Sequence, residues 1–588
     1  MSYIRACWKK YPDRKRLYLL VAMAAVTLFR LWMTAAQPIA FLPGQEDDDT
    51  VFLAHAASII RGHWLGVYTQ NTLVKGAFYS LFVAGVHFTG IPLLLAQQLL
   101  YVFACVIFIV AIRKLIPRRA ILAVSYCVVL FNPGSYTATA TARVIRDFTC
   151  ASFAFLAVSS MVAIYARVGE RYTAWKPWAV LLGLSLAATL LTREDSAWVL
   201  PLIVVASLLC AVMTFFKLRG KPRVKSLAVL VLPFVLVGVC SAVIAGANAY
   251  AYGKFVTNEY ADANFINAYS ALCRIDGGKW MPNVPVTKAA RQAAYAVSPA
   301  FRELEPYLEG QKMAIFVNAD DQETHGTFFT WNLRNAVAAA GYCKNAATAS
   351  AYYKRLAAEL NAAFDSGKLK SYPKTISVGM LSPWRGAYLV PTVKKTLYAI
   401  WYDVTFKDCS PYPIISDPMP AGDDIYQAVT NEVGSWDKTS DFADTSKETP
   451  FVRTSGYMLY QGAIRFNHQK LTFLNLVTIG YQKVFPILFV IACGCYVFLT
   501  VYLLVGLFRK RKLRFGPHWL VCTGVFLTFF LRVLIFAYGF VSSEVPIIPQ
   551  YMVSAYFQMA FFVCFTIGTT ILVLRKRIEA VKPRELTR

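Results

Sequence analysis

Uninterrupted apolar runs recur at both ends of the chain, at 17–35, 92–112, 148–166, 197–216, 226–250, 485–508, 519–540 and 551–574. Each is near the roughly 20 residues that carry a helix across a bilayer. Two shorter runs, 120–131 and 178–191, cross only when their polar flanks are counted. The pattern predicts ten transmembrane helices, seven before a long mixed segment and three after it. A further apolar stretch, 76–88, has about 13 residues, which suits an interfacial or re-entrant helix better than a span. The mixed segment, 253–483, is long enough for one folded domain. Within it, 288–307, 328–340 and 349–364 carry apolar residues at three-to-four spacing, with Tyr352, Leu356, Leu360 and Phe364 on one stripe. That spacing predicts amphipathic helices, so the domain is expected to be mainly helical. The predicted fold class is all-α and polytopic, in three parts. Residues 1–252 form an N-terminal transmembrane module with a long first loop at about 36–91, 253–483 a soluble domain, and 484–588 a C-terminal transmembrane module.

Composition agrees with this picture. Apolar residues make up 57% of the chain and charged residues 16%, against roughly 45–50% and about 25% in soluble domains. The net charge of +27 would suit a nucleic-acid binder, but the basic residues gather beside the spans, at 5–16, 113–119, 167–176, 217–225, 509–514 and 575–588. Placing all six clusters in the cytoplasm satisfies the positive-inside rule with ten spans and both termini inside. That topology requires 76–88 not to cross, and it puts the first loop and the domain together on the extracytoplasmic face. The domain holds about 24 basic and about 21 acidic residues, so the charge excess is a topology device and nucleic acid is not an expected partner. The first apolar run has no small-residue cleavage pattern behind it and reads as a retained helix. Ten of the 13 cysteines lie in or beside spans. An oxidising compartment would allow a Cys273–Cys343 bridge, leaving Cys409 odd. No cysteine or histidine spacing suggests a zinc site. The domain has no Asn-x-Ser/Thr acceptor, which fits a bacterial plasma membrane.

Candidate chemistry begins at Glu46-Asp47-Asp48-Asp49, just past the first span. Val51, Phe52, Ala56, Ile59 and Ile60 follow at helical spacing, so Asp48 or Asp49 sits near a helix N-terminus, where one carboxylate serves as a cap. Three exceed that need, and the alternative is a general base at the membrane surface. Seven basic residues fall outside both the cytoplasmic clusters and the domain: Arg30, Arg61, Lys75, Arg143, Arg146, Arg193 and Arg532. Arg143 and Arg146 share a helical face beside Asp147, and Arg193-Glu194-Asp195 ends another span at the same membrane face. Guanidinium groups suit bidentate phosphate recognition, and ion pairs or interfacial anchors are the alternative. Arg30 and Arg532 lie inside apolar runs, where a charge is a functional candidate by default. His55, His63 and His87 read as packing residues in preference to a relay. Asp320-Asp321-x-Glu323-x-His325 reads as a solvated loop in preference to a metal site, and Trp175-Lys176-Pro177-Trp178 as an interfacial aromatic anchor.

Asp48-Asp49-x-x-Phe52, Ala56, Gly62, Lys75-Gly76-x-x-Tyr79-x-x-Phe82 and Gly90, in that order, resemble the first external loop of GT-C glycosyltransferases. These are multispan enzymes using polyprenyl-phosphate-linked sugars, such as protein O-mannosyltransferases and lipid A aminoarabinose transferases. The resemblance extends as a pattern of spans to about Pro201. It implies a GT-C-like fold with two juxtamembrane helices before the second span. Asp48 matches the first acid of the family's pair, the base on the acceptor, and Asp49 the second, with Asp47 offering a register shifted by one. Ala77 stands where the family has proline after Lys-Gly. Pro549-Gln550-Tyr551 resembles an Arg-Tyr motif with glutamine in place of the arginine, which speaks against a phosphate contact there.

The resemblance implies transfer of one sugar, with inversion, from a polyprenyl-phosphate donor to a hydroxyl of a glycan or lipid-linked acceptor. Lys75, Arg143, Arg146 and Arg193 are the expected donor-phosphate ligands, and Asp47, Tyr79 and Glu194 the expected substrate contacts. No cofactor is required, although Asp47, Asp48 and Asp49 could hold a divalent cation with waters. An O-antigen polymerase or ligase would not require the acidic pair. A lipid or solute transporter would more often show paired halves or broken spans.

Overall fold

The structure is a computed structural model and describes residues 14–37, 39, 48–279, 281–310, 317–318, 320–373, 381–412, 429–431, 455–509 and 515–581, with no side-chain detail for 14–16, 455–466 and 577–581. The amino-terminal module comprises α1 (Arg14–Thr34), α2 (Asp49–Ile60), α3 (Phe78–His87), α4 (Leu93–Ile112), α5 (Arg119–Leu130), α6 (Ala138–Thr141), α7 (Asp147–Tyr165), α8 (Lys176–Thr192), α9 (Leu200–Lys217) and α10 (Gly220–Tyr252). The middle segment contributes α11 (Ala263–Arg274), α12 (Lys288–Val297), α13 (Phe328–Ala339), α14 (Ala346–Asp365) and α15 (Leu389–Val404). The chain closes with α16 (Ser455–Phe508), α17 (Gly516–Ser543) and α18 (Pro549–Val581).

Among the described residues nine helices are long and apolar enough to cross a membrane, or ten if a bent pair counts as one span. The chain is an integral membrane protein with an all-α fold. The bent pair is α5 with residues Pro133–Thr141, angled by 53°, at the borderline run 120–131. Asn132-Pro133-Gly134 interrupts the helix here, because proline removes a backbone donor and clashes with the preceding turn. Arg30 repairs the break. Its guanidinium donates to the Leu130 and Ser135 carbonyls and to Thr34, Gln98 and Ser135 side chains. Read in sequence as a functional candidate, Arg30 is instead the hydrogen-bond donor that a broken helix needs inside an apolar core.

α7 is the axis of the bundle: 94% of its apolar window is buried, as expected for a helix without a polar face. It packs against α4, α8, α9 and α18. Trp175, expected at the interface, is fully buried, with its indole N–H donating to the Arg167 carbonyl at 2.8 Å. α2 and α3 are short apolar helices packed on each other. Ten residues of α3 rise only about 15 Å, so this segment does not cross.

The domain has its own core, built from Phe265, Tyr269, Leu272, Leu333, Leu356 and Leu360 among others. The helix expected over 288–307 is three pieces, because Pro299 and Pro306 each start a new turn. Cys273, Cys343 and Cys409 are free thiols. In the acidic loop, Glu323 accepts from the Lys288 backbone N–H and Arg291, and His325 contacts Asp321 and Glu544. These groups serve as loop ties, and no metal-binding trio occurs among the described residues. α15 behaves differently from its neighbours in sequence. Ala399, Tyr402 and Val404 join the core of the spans, while Leu389, Val390, Val393, Leu397 and Trp401 are exposed.

One contact of the domain positions the site. Val74 of the first loop is buried in the domain core, Glu259 N–H donates to the Leu73 carbonyl at 2.7 Å, and Trp331 of α13 lies under the Lys75 ammonium at 5.6 Å. The domain thus fixes the loop that carries Lys75.

Candidate functional site

α2 begins where the acidic run meets the first apolar-periodic residues. Asp48 occupies the N-cap position, yet its side chain caps nothing. Its Oδ1 accepts from Lys75 Nζ at 2.6 Å, and its side chain keeps 26% of its surface exposed. Burial alone would raise the pKa of this carboxyl, but Lys75, assisted by Arg146 and Arg143, holds it below the ordinary carboxylate range. Asp49, one residue on, is fully buried. Both its oxygens accept from the Arg143 fork, at 3.1–3.2 Å. The two neighbouring carboxylates therefore have different work: one is clamped, the other is held at a single oxygen.

From Asp49 a polar network runs through the ends of α7, α8 and α18 and into the interior of α17. Arg143 Nη1 donates to Gln550 at 3.4 Å, and Gln550 Nε2 donates to Asp147 at 3.3 Å. Arg193 pairs with Asp147 and, through a fork at 2.8 and 3.1 Å, with Asp195. Arg532 completes the row by donating to Asp195 at 2.9 Å. Beside this row Arg146 donates to Glu194 at 2.8 Å and to the Thr192 carbonyl at 2.7 Å, with Phe52 beneath it. Glu194 also accepts from the Gly76 N–H at 2.6 Å, tying the first loop to the end of α8. Five cations (Lys75, Arg143, Arg146, Arg193, Arg532) are thus matched by five carboxylates (Asp48, Asp49, Asp147, Glu194, Asp195).

The cations read from sequence do converge, but their capacity to hold a phosphate differs. Arg143 and Arg193 each have all three guanidinium nitrogens engaged by protein acceptors. Arg146 uses Nη1 alone, leaving Nε and Nη2 free of described partners. Lys75 spends its one hydrogen bond on Asp48. Free donors for an anion are therefore on Lys75 and Arg146, while Arg143 and Arg193 position carboxylates. Tyr79, expected at the substrate, is fully buried, with its ring edge-on to Phe52 and its hydroxyl accepting from Gln97 at 3.0 Å. It packs α3 against α2. Glu194 likewise positions Arg146 and the loop. Asp47 lies outside the described residues. Lys75 and Arg143 pair with Asp48 and Asp49, and the cation site expected across Asp47, Asp48 and Asp49 includes a residue outside the described ones.

Gln550 and Asp147 are the links that sequence reading did not assign. In the sequence Gln550 reads as a replaced arginine; its signal is an amide at the head of an otherwise apolar span. Gly76 has a steric reason to be glycine: a Cβ there would lie 2.1 Å from the Leu191 carbonyl oxygen. Gly76→Ala is expected to destabilise the protein by about 1–3 kcal/mol, as overpacking does, and to dislodge Lys75. Thermal unfolding in detergent, read beside the activity proposed below, checks both; an unchanged Tm would remove the steric argument.

No protein-family model matches the chain, and no curated protein matches it. Among solved structures it is similar to ArnT from Cupriavidus metallidurans bound to undecaprenyl phosphate, at 12% identity and a TM-score of 0.28, covering 95% of this chain and 78% of that one. The apo structure of the same ArnT gives 11% identity, a TM-score of 0.27, and 90% and 78% coverage. Identity and TM-score at this level assign no residue roles and no activity to this chain; those rest on the geometry of the site.

Proposed function

We propose that this protein is an inverting glycosyltransferase. It would move one sugar from a polyprenyl-phosphate donor to a hydroxyl of a glycan or lipid-linked acceptor on the extracytoplasmic face of a bacterial plasma membrane. The observation that carries the reading is the division of labour between Asp48 and Asp49. Asp48 keeps one oxygen without a described partner, beside the unspent donors of Lys75 and Arg146. Asp48 takes the proton of the acceptor hydroxyl as its oxygen attacks the anomeric carbon. The new C–O bond forms as the bond from that carbon to the phosphate oxygen breaks, and the polyprenyl phosphate leaves with the electron pair. One in-line displacement inverts the anomeric centre. Lys75 and Arg146 offset the charge gathering on the departing phosphate, where preorganised donors act most strongly. Phosphate is a good leaving group, so no acid catalyst is needed.

Lys75 has two claims on it. While it holds Asp48 it weakens the base, and a bound phosphate would draw the ammonium away and restore basicity. Base strength would then rise when donor is present.

The test is direct: purified protein, a panel of radiolabelled polyprenyl-phosphate sugars, and an extract of envelope glycans as acceptor. Covalent transfer with release of polyprenyl phosphate, and inverted configuration by NMR, is the expected result. Movement of label across liposomes without covalent transfer would replace this reading with transport.

A further inference from the structure

Beside the acidic pair, α2 and the following loop line an open pocket of about 430 Å³, within the roughly 300–1,000 Å³ typical of small-molecule sites. Its helical wall is one face of α2, with Thr50, Ala54, His55 and Ser58, and its far wall is the loop from Leu65 to Thr72. The loop is drawn tight against the helix at Gly66. This residue has φ +90°, and a Cβ there would lie 2.7 Å from Ser58 Oγ. Tyr252 holds the same turn by donating to the Gly66 carbonyl at 2.9 Å.

Two polar side chains in this wall have no partner. Only 7% of His55 is exposed, yet its ring makes no hydrogen bond to any described residue. Thr50 Oγ1 is enclosed and equally unpartnered. A buried polar group left unpaired costs free energy, so the partner of the His55 ring would come from whatever fills the pocket. No residue lining the cavity carries a formal charge. Burial pushes the His55 imidazole down to about 4, so at neutral pH it offers one donor and one acceptor. The remaining wall mixes apolar Val51, Ala54, Leu65 and Val67 with polar Ser58, Thr69, Asn71 and Thr72. A flat ring with hydroxyls at its edge and C–H bonds on its faces meets both kinds of surface.

We propose that this cavity seats one neutral, hydroxyl-rich sugar ring of the acceptor glycan, hydrogen-bonded by His55 and packed against Val51 and Val67. The assignment to the acceptor rests on the glycosyltransferase reading, because Thr50 lies in the same helical turn as the proposed base, two residues beyond it. An anionic sugar or the donor phosphate would find no cation here.

The experiment uses the full-length protein in detergent. Neutral methyl glycosides of glucose, galactose, mannose and N-acetylglucosamine are probed by saturation-transfer NMR, with methyl glucuronide as the charged comparison. Polyprenyl phosphate binding is measured in parallel. The variants are His55→Phe, which keeps shape but loses both ring nitrogens, and Val67→Trp, which fills the mouth from a position 89% exposed and thus safe for folding. At least one neutral glycoside is expected to bind the wild type, with the glucuronide silent. Both variants are expected to weaken that binding about tenfold, the scale of one lost hydrogen bond to a ligand, with polyprenyl phosphate binding unchanged. No neutral glycoside binding, or binding that both variants leave intact, overturns the cavity assignment while the donor reading stands. Glycosides that bind and respond to the variants, with no polyprenyl phosphate bound, support the saccharide site and overturn the glycosyltransferase reading instead.

Discussion

Asp48→Asn is expected to reduce sugar transfer by about 10²–10⁴-fold, the usual contribution of a positioned general base, while polyprenyl phosphate binding and Tm stay near wild type. Asparagine preserves the shape and can still accept from Lys75 through its amide oxygen, so the loop and α2 keep their tie. What it cannot do is take a proton from the acceptor. Asp49→Asn is the control for register. It loosens the Arg143 fork and should lower Tm along with activity. The opposite pattern, an active Asp48→Asn enzyme and a folded but inactive Asp49→Asn enzyme, would move the base one residue along.

The pH profile gives the same assignment a second handle. Lys75 and the two arginines hold the Asp48 carboxyl below its ordinary range against the upward push of burial. A carboxylate with a depressed pKa stays ionised at neutral pH, and its stabilising pairing is lost only as pH falls through that lowered value. The acid limb of kcat/KM from Asp48 therefore lies below the usual carboxylate range. Lys75→Met removes the main opposing charge and should move that limb upward, together with a lower rate from the lost phosphate contact. A limb that stays in place would mean that another group controls it.

The local part of the site was legible in the sequence. Asp48, Asp49, Lys75 and Gly76 lie within one loop, and a cation or carboxylate placed at a membrane face advertises itself where most neighbours are apolar. The same logic found Arg143, Arg146, Arg193 and Arg532. Pairing was not legible, because it is set by how spans pack: Arg143 reaches Asp49 across 94 residues and Arg532 reaches Asp195 across 337. Only the packed bundle distinguishes an arginine spent on carboxylates from one with donors left over. Arg30 shows the same limit from the other side. Its charge marked it, but its partners are backbone carbonyls freed by a helix break.

Periodicity located the helices at 328–340 and 349–364 and said little about which core a helix enters. α15 has clear three-to-four spacing and lies on the domain side of any boundary drawn by charge, yet its inner face joins the spans. Helix 288–307 divided because proline punctuates a pattern that hydrophobic spacing alone carries straight through. Tyr79 matched a motif position and turned out to pack two interfacial helices together, since a matched position does not say which way a side chain faces.

Arg143→Met should be among the most damaging single changes to stability. Asp49 is fully buried and both its oxygens accept from this guanidinium. Removing the cation takes the guanidinium from a fully buried carboxylate, and breaking a buried pair in this way costs about 3–5 kcal/mol. The double variant Asp49→Asn with Arg143→Met removes the charge as well as its partner, so it should recover a large share of that loss. The two single variants and the double, compared by Tm in detergent, form a cycle in which strong coupling is expected. Were Arg143 a phosphate ligand instead, its loss would raise the donor KM with little change in Tm, and the coupling to Asp49 would be small. A saturated fork and a phosphate ligand thus give opposite signatures in one set of four proteins. The geometry, with every guanidinium nitrogen of Arg143 already facing a protein oxygen, commits to the first.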